Sequence, residues 1–238
     1  MKVSNKLSDL YGQYYNDSVA AKRAIAAHQT VDHLVEMLPK RRFASLVDIG
    51  AGEGAVLAEI EMRGLVEEMH ALEISSSGVA AIRLRQLATL RSVEPFDGYK
   101  LPEACRGYDL AIAAHVVEHV EHERAFIAAI VEAAELVYIE VPLELTARVE
   151  RSIRMSGPYG HINFYTPETI RNLVRTSGAE IVDFRVFPNS LDYERYVSGP
   201  WVGSIKYLIR VALLRAFPKY ATHRMTYLAG LICRKAPA

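Results

Sequence analysis

A glycine-rich turn joins two apolar segments in the first quarter of the chain. It has the sequence VDIGAGEG at residues 47–54, after an apolar run that begins at Phe43 and before a helical pattern at 55–60. Glycines permit positive φ angles and let a ligand approach the backbone without meeting a Cβ atom. The first turn of the following helix presents free N–H groups and the positive end of its dipole. This strand, turn and helix predict a nucleotide-binding corner.

The spacing of these glycines separates classes of nucleotide ligand. The dinucleotide fingerprint requires G-x-G-x-x-G, but Ala55 stands where its third glycine would be. Asp48 precedes the turn, and its carboxylate would repel a pyrophosphate and attract an amino group. About twenty residues further on, an apolar segment ends in Glu73, an acid of the kind that accepts hydrogen bonds from ribose hydroxyls. These acids favour a nucleoside that carries a cationic amino acid and no phosphates. A purely structural turn is the alternative.

Segments with strand and helix patterns alternate along the chain. The predicted strands lie at 44–49, 68–74, 92–96, 108–114, 136–141, 180–187 and 225–233. The predicted helices lie at 19–38, 54–64, 76–90, 121–134 and 167–177. This alternation predicts an α/β fold with a doubly wound, mostly parallel sheet and helices on both faces.

Several motifs in this order resemble those of a known family. They are DIGAGEG at 48–54, Glu73, YDLAI at 108–112, EHV at 118–120, GHINFYTPE at 160–168 and SGA at 177–179. Together they resemble the class I S-adenosylmethionine-dependent methyltransferases over roughly residues 43–187. The resemblance implies a Rossmann-like sheet of seven strands, whose last strand is antiparallel and lies beside the sixth.

The same resemblance implies a single domain over residues 1–238. Its expected parts are an N-terminal arm and helix at 1–40, a core sheet at 43–187, substrate-cap insertions at 142–166 and 188–224, and the last strand at 225–238. Insertions of this size are usually functional.

The resemblance also implies which residues bind S-adenosylmethionine. Gly50, Ala51 and Gly52 would lie against the amino-acid part of the cofactor, and Asp48 would support the turn or the amino group. Glu73 would bind the ribose hydroxyls. Ile74, directly after it, would lie against the adenine.

Three further positions belong to the expected cofactor site. Asp97 follows the third strand, where the family commonly places an Asp against the adenine amino group; a plain Asp-Gly-Tyr turn is the alternative. Ala114 ends the fourth strand at the same sheet edge. Tyr15 lies in a tyrosine-rich N-terminal segment. Its ring would gain cation–π energy near the sulfonium, or else anchor the arm on the core.

A second group of candidates, His115, Glu118, His119 and His161, is expected on the acceptor side. On one helical turn, positions 115, 118 and 119 would share a face. A neutral imidazole there would serve as general base for a hydroxyl acceptor.

Two alternatives are open for these four residues: a metal site, or a structural role such as Glu118 and His119 have in metal-free relatives. The four residues are similar to the Glu-x-x-Glu-His pattern, with a later His, of small-RNA 2′-O-methyltransferases and some ubiquinone-pathway O-methyltransferases. His115 replaces the first Glu of that pattern, and three His with one Glu would favour zinc over magnesium. We prefer a metal-free base, so a divalent metal is not the expected cofactor.

Composition limits the classes of partner. The 28 basic residues balance 28 acidic ones, so no basic footprint for nucleic acid is expected. Cys105 and Cys233 form no disulfide or metal pattern, which indicates a cytoplasmic protein. No signal core or transmembrane-length apolar run is visible.

The segment 201–217 is apolar with scattered cations. Lys206 and Arg210 share a helical face, whereas Arg215 points to the other side. A clean membrane-surface helix would segregate these cations. A cap helix or a homodimer interface is therefore the preferred interpretation, with membrane contact as the alternative.

These observations predict a transferase that moves a methyl group from S-adenosylmethionine to a small-molecule acceptor. The expected acceptor atom is a hydroxyl oxygen of a sugar, glycan or other biosynthetic intermediate. A non-catalytic binding protein with the same fold is one alternative. A nicotinamide-dependent oxidoreductase is another, and Ala55 and Asp48 count against it.

Overall fold

The sheet at the centre of the protein has seven strands. A computed structural model describes residues 20–39, 41–102, 105–156 and 160–237. The strands are β1 (Phe43–Ile49), β2 (Val66–Glu73), β3 (Leu90–Pro95), β4 (Tyr108–Ala114), β5 (Ala134–Leu143), β6 (Ala179–Phe187) and β7 (Tyr227–Lys235). Their order across the sheet is β3-β2-β1-β4-β5-β7-β6.

Helices connect these strands and extend two of the connections. They are α1 (Ala20–Met37), α2 (Ala55–Met62), α3 (Ser76–Leu84), α4 (Glu123–Ile130), α5 (Val149–Ser156), α6 (Pro167–Arg175), α7 (Leu191–Ser198), α8 (Pro200–Ala216) and α9 (Pro218–Arg224). A short 3₁₀ segment, Val117–His119, lies between β4 and α4.

The strand pairing confirms the predicted fold class. Strands β1 to β5 pair in parallel, whereas β7 runs antiparallel to both of its neighbours, β5 and β6. The order reverses direction between β1 and β4. In open α/β sheets a crevice for ligands forms at such a switch point, outside the carboxyl ends of the strands.

Apolar side chains cover both faces of the sheet. One cluster includes Phe126 of α4 and Tyr227 of β7, and the other includes Val31 of α1 with Leu57 and Ile60 of α2. The central strand β5 is buried along nearly its whole length, as expected for a strand covered on both faces. This core holds the carboxyl ends of β1, β4 and β5 in fixed positions.

Two predicted helices are shorter than expected. The helix predicted at 76–90 ends at Leu84, because Gln86 adopts a left-handed conformation (φ 51°) that an α-helix cannot continue. The helix predicted at 121–134 spans only Glu123–Ile130, and β5 begins soon afterwards at Ala134.

The two insertions expected to form a cap contain helices. Residues 142–166 include α5, and residues 188–224 include α7, α8 and α9. Within the described part of the chain, no helix has both the length and the apolar character needed to cross a membrane.

Candidate active site

A cavity of about 630 Å³ opens at the carboxyl ends of β1, β2, β4 and β5. This volume lies within the range of small-molecule and cofactor sites. The expected cofactor residues that line it are Asp48, Gly50, Ala51, Gly52, Glu73, Ile74 and Ala114. The expected acceptor-side residues His115, Glu118, His119 and His161 line it as well. The fold thus brings both predicted groups to one cavity.

The glycine turn depends on glycine for two reasons. Gly50, Gly52 and Gly54 have positive φ angles of 81°, 58° and 77°, a region that other residues enter at a cost. A Cβ atom on Gly50 would also lie 2.6 Å from Cγ2 of Val116. The turn is therefore packed directly against the segment after β4.

Glu73 ties the end of β2 to this turn. Its Oε2 accepts a hydrogen bond from the Gly52 N–H at 2.9 Å, and its Oε1 accepts from the N–H and hydroxyl of Ser75. Its carboxylate also lines the cavity, at the end of β2.

The carboxyl group of Asp48 has a raised pKa. Burial is the main cause, and repulsion by the nearby Glu73 carboxylate adds to it; together they raise the pKa of Asp48 to about 7. A cationic amino group next to Asp48 would reverse this effect by stabilising the ionised form. Asp48 is therefore suited to a ligand with an ammonium group.

The cofactor roles of two expected residues, Asp97 and Tyr15, stay predictions. Asp97 accepts hydrogen bonds from the N–H groups of Tyr99 and Lys100, the geometry of the plain turn named above as the alternative. Its neighbours Phe96 and Gly98 line the cavity, but Asp97 does not. Tyr15 lies outside the described residues.

The predicted helical face for His115 and His119 is wrong. His115 has a left-handed backbone (φ 57°) and precedes the 3₁₀ segment that contains Glu118 and His119. Because the left-handed residue turns the chain before this segment, the two histidines do not lie on one helical turn. His115 faces Glu118 and Glu140, whereas His119 faces His161.

His115 is also unsuited to the expected role of neutral base. Its Nδ1 lies 3.4 Å from Oε1 of Glu118, and its Nε2 lies 3.2 Å from Oε1 of Glu140. Burial alone would lower its pKa, but the two carboxylates outweigh burial and raise the pKa of His115 to about 10. The two carboxylates therefore favour the charged form of His115 over the expected neutral base.

Glu140 is a central residue that the sequence interpretation missed. It is fully buried on β5 and accepts hydrogen bonds at 2.7 Å from the hydroxyls of Thr30 and Tyr138. His33 Nδ1 lies 2.7 Å from its Oε2. Burial opposes its ionisation, but His115 and His33 outweigh that effect and hold the pKa of Glu140 well below its usual range. Helix α1 is thereby fastened to the end of β5.

A visible signal marks Glu140 in the sequence. It is an acid inside the apolar run from Tyr138 to Leu143, and charged residues are almost never buried unless paired. Its partners on α1 lie more than a hundred residues away. No local pattern connects them.

The second part of the acceptor side is a compact group of Glu118, His119 and His161. One ligand atom from each lies within 4.8 Å of the others. The rings of His119 and His161 meet edge to face, with centroids 4.6 Å apart. Burial is the main cause that lowers the pKa of His119, which favours the neutral form of its imidazole.

Glu144 fixes the position of His161. Its Oε2 lies 2.9 Å from Nδ1 of His161, and both side chains are largely buried. With Nδ1 occupied by a carboxylate, Nε2 is left as the free acceptor of the ring. Glu144 follows the end of β5, and its position after a buried strand was the available sequence signal.

Two cations of α1, Lys22 and Arg23, also line the cavity near the glycine turn. Arg23 forms an ion pair with Glu53 of that turn at 2.7 Å. The sequence interpretation did not include either residue.

Comparison with known families gives one match over most of the chain. A family model described as a methyltransferase domain matches residues 21–183. No curated protein sequence matches.

Solved structures share the fold at low sequence identity. Phosphoethanolamine N-methyltransferase 2 of Haemonchus contortus, in complex with phosphomonomethylethanolamine and S-adenosylhomocysteine, is 13% identical (TM-score 0.65; 99% of this chain, 61% of that one). The DhpI complex with S-adenosylhomocysteine is 16% identical (TM-score 0.59; 98% and 96%). The [4+2]-cyclase SpnF is 17% identical (TM-score 0.62; 89% and 82%). A shared fold does not determine the reaction.

Proposed function

The chain belongs to the methyltransferase domain family, and we propose that it transfers a methyl group from S-adenosylmethionine to a hydroxyl oxygen of a small-molecule acceptor. The acceptor class that we propose is a sugar, glycan or other biosynthetic intermediate. One observation carries the proposal: a single cavity has the glycine turn with Asp48 and Glu73 on one side and a histidine pair on the other.

The residues of the first side fit the cofactor. Asp48 would meet its ammonium group and Glu73 a ribose hydroxyl, while Lys22 and Arg23 would meet its carboxylate. When bound, the cofactor supplies an activated methyl group on a sulfonium. Holding the acceptor oxygen in line with that methyl group is then the main task of the protein.

His161 is the base that we propose for the acceptor proton. Glu144 holds its Nδ1 and would stabilise the imidazolium that forms, as carboxylates do for catalytic histidines. His119, neutral and in contact with the His161 ring, would orient the acceptor hydroxyl. His115 is not the base that we propose, because Glu118 and Glu140 favour its charged form.

Calorimetry with S-adenosylhomocysteine tests the cofactor assignment. We expect wild-type protein to bind and Glu73→Ala to lose at least about tenfold in affinity, since the ribose contact and the Gly52 bond are both lost. Absence of binding at millimolar ligand would refute the proposal.

Transfer of a labelled methyl group to a panel of hydroxyl-bearing small molecules tests the reaction. His161→Ala and Glu144→Gln should lower kcat about 10²-fold or more without changing affinity for S-adenosylhomocysteine. His223→Ala, at an exposed histidine, is the matched control. Wild-type rates in both site variants would remove the dyad from the mechanism. Tight cofactor binding with no transfer to any acceptor would favour the non-catalytic alternative.

A divalent metal on Glu118, His119 and His161 is the second candidate, because these residues converge. Both Glu118 carboxylate oxygens are buried, and neither accepts a hydrogen bond of good geometry from a described residue. The Glu144 carboxylate lies against the Nδ1 atom of His161, and metal-bound histidines typically have such a carboxylate partner. The charged His115 beside Glu118 counts against it. A bound ion would act as a Lewis acid toward the acceptor oxygen.

Metal analysis separates the two candidates. Stoichiometric zinc or another divalent ion in protein purified without chelator, lost in His119→Ala, would support the metal site. Full activity after chelation would support the metal-free base.

A further inference from the structure

Helix α8 exposes a row of large apolar side chains. Trp201 is 84% exposed, Leu208 64% and Ile205 58%, and Val202 and Ile209 are exposed as well. Their spacing places them on one side of the helix. We call these five residues the α8 apolar face. Such a face on a surface helix marks an interaction site.

The opposite side of α8 packs on the protein. Gly203 is buried there, and a Cβ atom on it would lie 2.3 Å from the carbonyl oxygen of Glu194 in α7. Arg210 also points inward, where it pairs with Glu194 at 3.0 Å. Leu213 and Leu214, near the end of the helix, pack against the core as well. Its apolar face points outward.

Cations border this face on both sides. Lys206 and Arg215 are exposed, and at 3.6 residues per turn they lie on opposite flanks of the α8 apolar face. The expectation that Arg215 would disrupt an amphipathic pattern assumed that Lys206 and Arg210 mark the outer polar side. Because Arg210 faces the protein, the two remaining cations frame the apolar face.

The charged side chains of α8 and α9 have one sign. Residues 200–224 contain five Lys and Arg residues and no Asp or Glu, and Arg210 among them pairs with the buried Glu194 of α7. The next helix, α9, adds exposed Lys219 and Arg224 beside exposed Phe217 and Tyr220. Exposed Lys206, Arg215, Lys219 and Arg224 therefore place positive charge on and next to α8 in a chain of zero net charge.

We propose that the α8 apolar face docks on the surface of an anionic phospholipid bilayer. The apolar residues would enter the boundary between headgroups and acyl chains, with α8 parallel to the membrane plane. Lys206, Arg215 and Lys219 would lie at the level of the anionic headgroups. Charge complementarity favours this occupant over a second copy of the chain, which would bring the same positive charge to the contact.

The docking surface and the cavity share one structural unit. Tyr193 of α7 and Thr226, just after α9, both line the cavity. Docking would therefore position the cap of the cavity at the lipid surface. The inference itself stands on α8 and its charges and does not depend on the proposed methyl transfer.

The single tryptophan of the sequence is an internal probe for this proposal. Full-length protein is mixed with vesicles of phosphatidylcholine alone or with added phosphatidylglycerol. We expect a blue shift of Trp201 emission, quenching by brominated acyl chains, and co-sedimentation only with the anionic vesicles. Added salt should weaken binding, because the cation contribution is screened.

Matched variants locate the contact. Leu208→Asp should lower the vesicle partition coefficient about tenfold or more, and Lys206→Gln or Arg215→Gln about fivefold each. Leu84→Asp, at another exposed leucine (82%) on α3, should bind as wild type does. An unchanged circular dichroism spectrum and an unchanged Tm would show that each variant is folded.

Three results would overturn the proposal. They are absence of binding to anionic vesicles, equal losses in Leu208→Asp and Leu84→Asp, and a lipid-free dimer that Leu208→Asp dissociates while vesicles remain unbound. The last result would identify the face as an interface between copies of the chain.

Discussion

Replacing Glu140 by Gln tests the buried network that fastens α1 to β5. The variant keeps the size of the side chain and removes its charge. Wild-type Glu140 accepts from Thr30 and Tyr138, bonds His33, and lies 3.2 Å from the charged His115. A Gln amide has only one acceptor oxygen, and its NH₂ group would face a hydroxyl or ring nitrogen that now donates.

The expected loss in the free energy of unfolding is about 2–3 kcal/mol, because the buried donors Thr30, Tyr138 and His33 lose a charged acceptor. His115 adds less than a fully buried ion pair would, since its side chain is 36% exposed and water screens its charge. Because native proteins are only marginally stable, this loss is a large fraction of the total free energy of unfolding. Glu132→Gln is the matched control; it breaks the exposed pair with Lys235 and should cost less than about 1 kcal/mol.

The effect should depend on pH in a defined direction. The folded-state pKa of His115 is raised from 6.5 to about 10, so its contribution to stability is full below about pH 6.5 and is lost as pH rises through about 10. The difference in the free energy of unfolding between wild type and Glu140→Gln should therefore become smaller as the pH rises from about 6.5 to about 10.

Urea unfolding followed by circular dichroism measures the loss, and NMR titration of the imidazole measures the pKa of His115. In the variant that pKa should fall by about one to three pH units. A loss below about 1 kcal/mol together with an unchanged His115 titration would refute the account of the network.

Three further predictions address the turn and the 3₁₀ segment. Binding of S-adenosylhomocysteine near pH 6 should release a proton, because its ammonium group lowers the raised pKa of Asp48; calorimetry in buffers of different ionisation enthalpy detects it, and Asp48→Asn should abolish it. Gly50→Ala should lower Tm more than Gly64→Ala, since both positions have positive φ but only Gly50 adds a 2.6 Å contact with Val116; equal shifts would contradict this. Asn163→Ala removes bonds to the carbonyls of Val117 and Val120 and should cost about 1–3 kcal/mol in urea unfolding; a smaller loss would show that these carbonyls find other donors.

The sheet was predictable because its signals are local. Apolar runs, the glycine turn and strand-end acids locate all seven strands, and β4 has the predicted bounds of Tyr108–Ala114. Helix ends were less predictable. The left-handed Gln86 ends α3 in the middle of a pattern that would otherwise continue to 90, and no turn-forming glycine or proline marks that position.

The two sides of the cavity differ in how well the sequence predicts them. The side with the glycine turn depends on backbone conformation and on acids directly after strands, so the sequence indicates it. The histidine side depends on the direction of side chains from an irregular segment. One left-handed residue, His115, sends its own ring to Glu140 and leaves His119 facing His161.

The position of β7 affects how the chain can fold during synthesis. This strand fills the gap between β5 and β6, yet it leaves the ribosome after both of them. Until residues 227–235 emerge, one edge of β5 is open and β6 has no strand to join, and open edges can pair with other chains. The segment α7–α9 is the tether that returns β7 to this gap. Early helix formation there would shorten the search for closure, so cap mutations should change folding yield as well as surface contacts.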